Sequence, residues 1–179
     1  FYHIVSMVVK IELEVRMAVK IVRVLNTNAV VSSDQEGREL IITGAGIGFK
    51  KKKGENLDEA LADKTYYLES VDDSRRLQEV VKEISEEYLE IVNRIVKTAR
   101  EEGLKVRDSL YVTLTDHINS AVDRYRENIA LKNMMKLEIR KFYPKEYEIG
   151  LRAVQWIQEQ NDENLGEDEA AFIAMHIVS

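Results

Sequence analysis

The sequence predicts an α+β chain of two domains: a small four-stranded antiparallel sheet that dimerises, followed by an all-α bundle of about five helices. Short β-rich runs fill the first part of the chain, whereas from about Asp72 the apolar residues recur with a helical period of about 3.6. The charge divides at the same place. Residues 17–72 carry 8 basic and 9 acidic side chains, and residues 73–179 carry 16 and 21. We therefore expect a near-neutral sheet domain over 17–72 and an acidic helical domain over 73–179.

The composition of the 179-residue chain restricts the class of protein. It contains no cysteine, which excludes disulfides, thiolate metal sites and cysteine nucleophiles. The net charge of −6 argues against a globally basic binder of DNA. No run is long and apolar enough to predict insertion into a membrane, and no segment has the pattern of a signal peptide. These features predict a cytoplasmic protein.

Residues 1–16 differ from the rest of the chain. From Val9 to Arg16, apolar and charged residues alternate almost perfectly, and Met17 then looks like a fresh start. This pattern predicts a tag or extension over residues 1–16 that can be ordered as an added edge strand, and we assign it no function.

Four short strands are predicted in the first domain. The β-rich segments are residues 21–25, 29–32, 39–43 and 65–68. Asp34 and Gly37 bound a predicted hairpin turn between the second and third of them. A core built from so few residues is thin, so the sheet is expected to need a partner face, which a dimer would supply.

The second domain shows start and stop signals for helices. One apolar helical face is predicted from Ile84, Tyr88, Ile91, Ile95 and Ala99. Gly103 occupies the position expected of a C-cap, and Asp108 can cap the next helix, which runs to Tyr125. A short helix follows over residues 131–141. Pro144 suits the first turn of another, and the acidic residues 167–169 suit the first turn of the last.

A glycine-rich stretch carries the clearest functional signal. It reads Gly44-Ala45-Gly46-Ile47-Gly48-Phe49 and is followed at once by four lysines, Lys50, Lys51, Lys52 and Lys53. The spacing matches neither a phosphate-binding loop of NTPases nor a dinucleotide fingerprint. Glycines that admit a close backbone, an aromatic ring for stacking and cations for phosphates together suit single-stranded or looped RNA. A glycine turn followed by a solvated lysine run is the alternative.

Two asparagines and two histidines are further candidates. Asn26 and Asn28 lie in a tight connection and can hydrogen-bond base edges, although asparagine is also common in turns for conformational reasons alone. His117 and His176 lie on predicted helices, where an isolated histidine is most often a structural or surface residue. A metal site is not predicted, because neither histidine has a second ligand at suitable spacing. Acceptance of a phosphoryl group needs only one accessible imidazole.

Several separated motifs resemble one family of regulators. Residues 20–30 and 44–49 resemble the RNA-binding domain of BglG/SacY/LicT-type transcriptional antiterminators. Residues 73–179 are similar to the first phosphotransferase-system (PTS) regulation domain of the same proteins, through the motifs at residues 108–118, 142–147 and 167–178. The resemblance covers residues 17–179 in the family's order.

The resemblance implies a function and its residues. Such proteins bind, as homodimers, a hairpin in the leader of a sugar-utilisation messenger RNA and so prevent formation of a terminator. They need no cofactor and are not enzymes. The implied RNA-binding residues are Arg23, Asn26, Asn28, Gly44, Gly46, Phe49, Lys51 and Lys52.

The resemblance also implies regulation. His117 and His176 would be phosphorylated by PTS phosphotransfer proteins, namely a sugar permease enzyme II or HPr. Two departures from the family pattern matter. Ala45 stands where some members have arginine, and a second regulation domain, normal in the family, does not follow Ser179, as expected of a truncated or a short member.

Two other classes of function stay open at this stage. One is a phosphorylation-responsive dimeric signalling or scaffold protein without RNA binding. The other is a small hydrolase built from Ser109, Asp116 and His117, which has almost no support because sequence neighbours do not face each other on a helix.

Overall fold

A computed structural model describes residues 19–179, and the extension predicted over residues 1–16 lies outside them. The chain forms two compact units, of which the first ends at Glu86 and the second is Glu87–Ser179. The first holds the sheet and the helix after it, and the second holds helices. The predicted α+β fold with a four-stranded antiparallel sheet is therefore confirmed.

The sheet is a simple meander. Its strands β1 (Ile21–Asn26), β2 (Ala29–Ser33), β3 (Glu39–Thr43) and β4 (Lys64–Tyr66) are neighbours in chain order, and each pair is antiparallel. The predicted turn between β2 and β3 is confirmed, since the N–H of Gly37 donates to the carbonyl of Asp34 at 3.1 Å and Gly37 has a φ of +80°. The last strand begins and ends one to two residues earlier than predicted.

The apolar side chains of the sheet unit converge on one core. Val30 of β2 pairs with Val24 of β1 and Ile42 of β3. The buried cluster consists of Ile21, Val30, Leu40, Ile42, Ile47 and Leu57. Because Ile47 belongs to the glycine-rich stretch, this core holds that stretch against the sheet.

Helix α1 (Val71–Glu83) completes the first unit. The hydroxyl of Ser70 caps it by accepting from the N–H of Asp73 at 3.2 Å. Its buried residues are Ser74, Leu77, Gln78 and Val81, whose spacing forms one stripe along the helix.

Ile84 does not continue the helical face that the sequence predicts. Its backbone is extended, with φ −113° and ψ 141°, and helix α2 (Glu86–Glu101) begins two residues later. The prediction of one face from Ile84 onwards was therefore wrong at its first residue. Tyr88, Ile91 and the later members of that set are buried in α2 as expected.

The second unit contains the rest of α2 and four further helices. These are α3 (Ser109–Arg126), α4 (Lys136–Phe142), α5 (Pro144–Asn161) and α6 (Glu167–Val178). Gly103 follows α2 with a φ of +84°, and Pro144 opens α5, both as predicted. The short fourth helix begins later than expected, at Lys136 instead of residue 131.

Asp108 is not the side-chain cap that the sequence predicts for α3. Its backbone is already helical, at φ −60° and ψ −27°, and it makes no side-chain cap hydrogen bond. Its carboxylate instead accepts from the guanidinium of Arg100 at 3.0 Å. The charged partner draws the carboxylate away from the first-turn amides.

Helices α5 and α6 pack closely because one position has no side chain. A Cβ on Gly150 would lie 2.2 Å from the carbonyl oxygen of Ala170, so only glycine permits this approach. Within residues 19–179, no helix is both long enough and apolar enough to cross a membrane.

Candidate functional site

The connection between β1 and β2 (the asparagine turn, residues 26–28) and the stretch after β3 (the glycine loop, residues 44–49) form one surface. The N–H of Gly44 donates to the carbonyl of Asn28 at 3.0 Å, and the N–H of Gly48 donates to the carbonyl of Thr27 at 2.8 Å. The N–H of Gly46 donates to the side-chain oxygen of Asn28 at 2.9 Å. Three predicted RNA-binding residues, Asn28, Gly44 and Gly46, are therefore joined directly although 16 or more positions separate the two segments in sequence.

Each glycine of the loop answers a local requirement of the fold. A Cβ on Gly44 would lie 1.7 Å from the carbonyl oxygen of Leu61, and one on Gly48 would lie 2.1 Å from the carbonyl oxygen of Asn26. Gly46 has open space but a φ of +76°, which side chains rarely adopt. The close backbone approach at Gly44 and Gly48 is thus to the protein itself.

Phe49 ends the glycine loop with its ring in solvent. The residue is 60% exposed, and the Lys50 ammonium lies 5.3 Å from the ring centroid. Of the next residues, Lys52 and Lys53 are exposed and Lys51 is half-buried. An open aromatic face beside several cations can stack on a base while it contacts phosphates.

Three predicted RNA-binding side chains also hold hydrogen bonds to other residues of the first unit. The Arg23 guanidinium donates to the side-chain oxygen of Gln78 at 2.8 Å and forms a salt bridge with Glu39. The side-chain amide of Asn26 donates to the carbonyl of Val81 at 2.8 Å. The amide of Asn28 donates to the carboxylate of Glu86 at 3.1 Å.

Sequence reasoning did not identify these three partners from α1 and the start of α2. They lie 55 or 58 positions from the residues they bind, so no local spacing connects them.

The second unit brings the two predicted histidines together. His117 lies on α3 and His176 on α6, and their ring centroids are 4.7 Å apart with the planes inclined by 48°. In sequence each histidine looked isolated, and only the packing of α3 against α6 makes them a pair. No group of three or more histidine, aspartate or glutamate residues among residues 19–179 is arranged to hold a metal ion.

A buried carboxylate fixes one ring of the pair. Nε2–H of His117 donates to Oε1 of Glu169, and the Arg124 guanidinium lies 3.7 Å from the other carboxylate oxygen. Glu169 is only 7% exposed. The acidic residues 167–169 were predicted as the first turn of a helix, which is confirmed, but the contact of Glu169 with His117 is visible only in the fold.

The surroundings of His176 favour its neutral form over its protonated form. Burial lowers the pKa of His176 below its ordinary value of 6.5, and the neighbouring His117 lowers it further, while Glu169 acts in the opposite direction. A neutral imidazole keeps a lone pair, which a phosphoryl acceptor requires.

His176 also lines an open cavity. The cavity has a volume of about 210 Å³, and its wall includes Arg107, Ser109 and Thr113. Room for an incoming group therefore exists beside this ring.

Two family models match the chain. The model described as the CAT RNA binding domain matches residues 19–75, and the model described as the PRD domain matches residues 90–179.

Curated relatives are similar along most of the chain. The "Beta-glucoside operon antiterminator" of Dickeya chrysanthemi is 37% identical over 161 residues, which are 89% of this chain and 57% of the relative. The "Transcription antiterminator LicT" of Bacillus subtilis (strain 168) is also 37% identical over 161 residues, covering 89% and 58%. The chain thus spans somewhat more than half the length of these relatives.

A solved structure supports the same arrangement of elements. The "Crystal structure of GlcT CAT-PRDI" aligns with a TM-score of 0.73 and 27% sequence identity, covering 90% of this chain and 96% of that one.

Proposed function

We propose a function from one premise: the chain belongs to the PRD domain family and carries a CAT RNA binding domain ahead of that domain. It acts as a transcriptional antiterminator. As a homodimer it binds a hairpin in the leader of a sugar-utilisation messenger RNA and prevents formation of the terminator. Two relatives that match along most of this chain are named antiterminators, which supports this proposal.

The observation that carries the proposal is the exposed ring of Phe49. It is the terminal residue of a loop in which Ile47 is fully buried, so the loop is anchored while its aromatic face stays open. An exposed ring beside four lysines fits a looped or unpaired base. Stacking on such a ring contributes about 1–3 kcal/mol per base.

Phosphate contacts come from the lysines that follow the ring. Lys51 and Lys52 add affinity for any phosphate backbone, whereas Phe49 and the asparagine turn supply the preference for a particular hairpin. The asparagines contribute in two ways. Each has an amide suited to a base edge, and Asn28 also holds the backbone of Gly46 in place.

The test is a binding titration with matched aromatic variants. Phe49→Ala is compared with Phe142→Ala, because Phe142 is 65% exposed and also carries a lysine, Lys141, 5.4 Å from its ring centroid. Fluorescence anisotropy with a labelled leader hairpin and a scrambled control measures the dissociation constant. We expect Phe49→Ala to raise it about 10-fold or more, and Phe142→Ala to leave it unchanged.

Two results contradict the proposal. Equal affinity of the wild type for the hairpin and the scrambled RNA would show that the chain does not recognise the hairpin specifically. Equal affinity of wild type and Phe49→Ala for the hairpin would show that Phe49 is not part of the RNA-binding site. A chain that accepts phosphate at histidine but binds no RNA would instead be the signalling or scaffold protein of the alternative hypothesis.

The histidine pair provides the regulation. A PTS phosphotransfer protein, a sugar permease enzyme II or HPr, phosphorylates His117 or His176 when the inducing sugar is absent. The modification adds close to two negative charges beside the buried carboxylate of Glu169. Like charges so close repel, and the rearrangement that separates them weakens the dimer that binds RNA.

A charge substitution tests this regulation. His117→Asp places a carboxylate beside Glu169, whereas His117→Asn is of similar size and neutral. Analytical ultracentrifugation should show weaker self-association of the aspartate variant and near wild-type self-association of the asparagine variant. Equal sedimentation of the two variants would refute the repulsion mechanism.

The proposed role is regulatory, not enzymatic, and it places the protein in the cytoplasm with the messenger RNA. It requires no cofactor. His117 has Glu169 as its carboxylate partner, and this pairing gives no support to the hydrolase built from Ser109, Asp116 and His117.

A further inference from the structure

We propose that helix α1 together with Glu86 is an intramolecular competitor of RNA: it occupies the hydrogen-bonding groups of Arg23, Asn26 and Asn28 and must leave them before RNA can bind through them. This inference rests on the proposed function, because it assigns those three side chains to the RNA-binding surface. It adds a built-in inhibitor within the sheet unit itself.

The side-chain amides of both asparagines already hold hydrogen bonds. The Nδ2 of Asn26 donates to the carbonyl of Val81 at 2.8 Å, and its Oδ1 accepts from the N–H of Asn28 at 2.7 Å. The Nδ2 of Asn28 donates to Glu86 at 3.1 Å, and its Oδ1 accepts from the N–H of Gly46 at 2.9 Å. Recognition of a base edge by an amide uses a donor and an acceptor side by side. The Nδ2 of each amide therefore already donates one hydrogen bond, to α1 or to Glu86.

A polar network attaches α1 to the strands. Gln78 is only 2% exposed. Its oxygen accepts from Arg23 at 2.8 Å, and its nitrogen donates to the carboxylate of Glu39 at 3.1 Å. Glu39 in turn accepts from Arg75 of α1 at 2.7 Å. The Arg23 guanidinium therefore already has two acceptors, Gln78 of α1 and Glu39 of β3.

The contact that holds α1 on the sheet is partly polar. Its inner stripe consists of two polar residues, Ser74 and Gln78, and two apolar ones, Leu77 and Val81. Half of this stripe is polar, so hydrogen bonds as well as apolar contacts attach α1 to the sheet. RNA oxygens can replace the carbonyl of Val81 and the carboxylate of Glu86 as acceptors for the two asparagine amides, which makes this exchange reversible.

Glu86 connects this contact to the rest of the chain. It is the last residue of the first unit and also the first residue of α2, which continues into the second unit. Only Ile84 and Ser85 separate α1 from α2. The hydrogen bond from Asn28 to Glu86 therefore ends on the segment through which any change in the helical unit is transmitted along the backbone.

Competition reduces the apparent affinity by the fraction of chains in which the surface is free. Variants that weaken α1 should therefore bind RNA more tightly than the wild type, the opposite of what loss of an RNA-contacting residue does. Gln78→Ala removes the central group of the network without a change in charge. Glu86→Ala removes the partner of Asn28, and Glu83→Ala, an exposed position of α1, controls for its loss of negative charge.

In the full chain, we expect Gln78→Ala and Glu86→Ala each to lower the dissociation constant for the leader hairpin about threefold to tenfold, up to about 1.4 kcal/mol. Glu83→Ala should change it less than twofold. Thermal unfolding monitored by circular dichroism checks that each variant is folded. Unchanged or weaker binding by both folded variants overturns the inference.

A reversible lock gives a second measurement on a single molecule. The chain has no cysteine, so Glu39→Cys combined with Gln78→Cys can be joined by a short, reducible bis-thiosulfonate linker without side reactions. We expect the linked chain to bind the hairpin at least tenfold more weakly than the same chain after reduction. Equal affinity before and after reduction overturns the inference.

The outcomes separate this inference from the proposed function. Wild-type RNA binding that Phe49→Ala abolishes, with no gain in Gln78→Ala or Glu86→Ala and no effect of the lock, leaves the antiterminator function standing and overturns the competitor alone. Absence of hairpin binding in every variant and in the reduced chain overturns both.

Discussion

Replacement of Gly44 by alanine tests whether the glycine loop is built for the fold or for the ligand. The new Cβ would lie 1.7 Å from the carbonyl oxygen of Leu61, and Cβ contacts below 3.0 Å are essentially never found. The Leu61 carbonyl must therefore retreat by roughly 1.3 Å. Leu61 ends a single 3-10 turn, Glu59–Leu61, which Asp58 caps.

The cost follows from what this movement disturbs. The N–H of Asp63 donates to the carbonyl of Thr43 at 2.8 Å, directly beside the clash. Loss of that hydrogen bond costs about 1 kcal/mol, and strain from overpacking adds about 1–3 kcal/mol. The free energy of unfolding of the sheet unit should fall by about 2–4 kcal/mol. For a unit of this size the melting temperature would fall by about 10–20 °C.

Scanning calorimetry measures the change, with Gly54→Ala as the control. Gly54 has a φ of +90° and open space around it, so alanine there costs only the backbone strain of about 1–2 kcal/mol. We expect Gly44→Ala to melt below Gly54→Ala, and both below wild type. A Gly44→Ala chain that melts within about 2 °C of wild type, or above Gly54→Ala, would refute the reasoning.

Three further predictions follow from the same structure. Burial lowers the pKa of His176, so the unfolded chain takes up a proton at this residue at a higher pH than the folded chain does. Urea titrations should therefore show the free energy of unfolding falling as the pH drops from about 6.5 through the lowered pKa. His176→Gln should remove this dependence. Gly150→Ala should destabilise the helical unit by about 1–3 kcal/mol in the same titrations, since its Cβ would meet Ala170 at 2.2 Å. Replacing Lys51 and Lys52 by alanine should weaken hairpin and scrambled RNA alike and reduce the slope of log affinity against log salt by up to about 2, and an unchanged slope would remove them from the phosphate contacts.

Local signals in the sequence predicted the elements of the fold well. Short β-rich runs predicted the strands, and Gly37, Gly103 and Pro144 marked turns and helix ends by conformational preferences that act over a few residues. Two of the incorrect predictions show why such local signals fail. Arg100 draws the carboxylate of Asp108 away from its cap, and Ile84 keeps the apolar spacing of a helix while its backbone is extended.

The candidate sites were predicted as separate residues. The sequence pointed to the asparagines, the glycines and Phe49 as types suited to RNA, and their assignment as RNA contacts stays a prediction. It did not reveal that Gly44 and Gly48 are required by the carbonyls of Leu61 and Asn26, because that requirement depends on backbone atoms brought close by folding.

The sequence by itself determined the order and type of the elements, the glycine–phenylalanine–lysine run and the two histidine motifs, since each depends on residues close together in the chain. Only the tertiary structure decided which of them share a surface. It joined the glycine loop to the asparagine turn, paired His117 with His176 beside Glu169, and laid α1 over groups assigned to RNA. The physical reason is that hydrogen bonds and buried charges act over a few ångströms in space, and residues that meet in space can stand more than 50 positions apart in sequence.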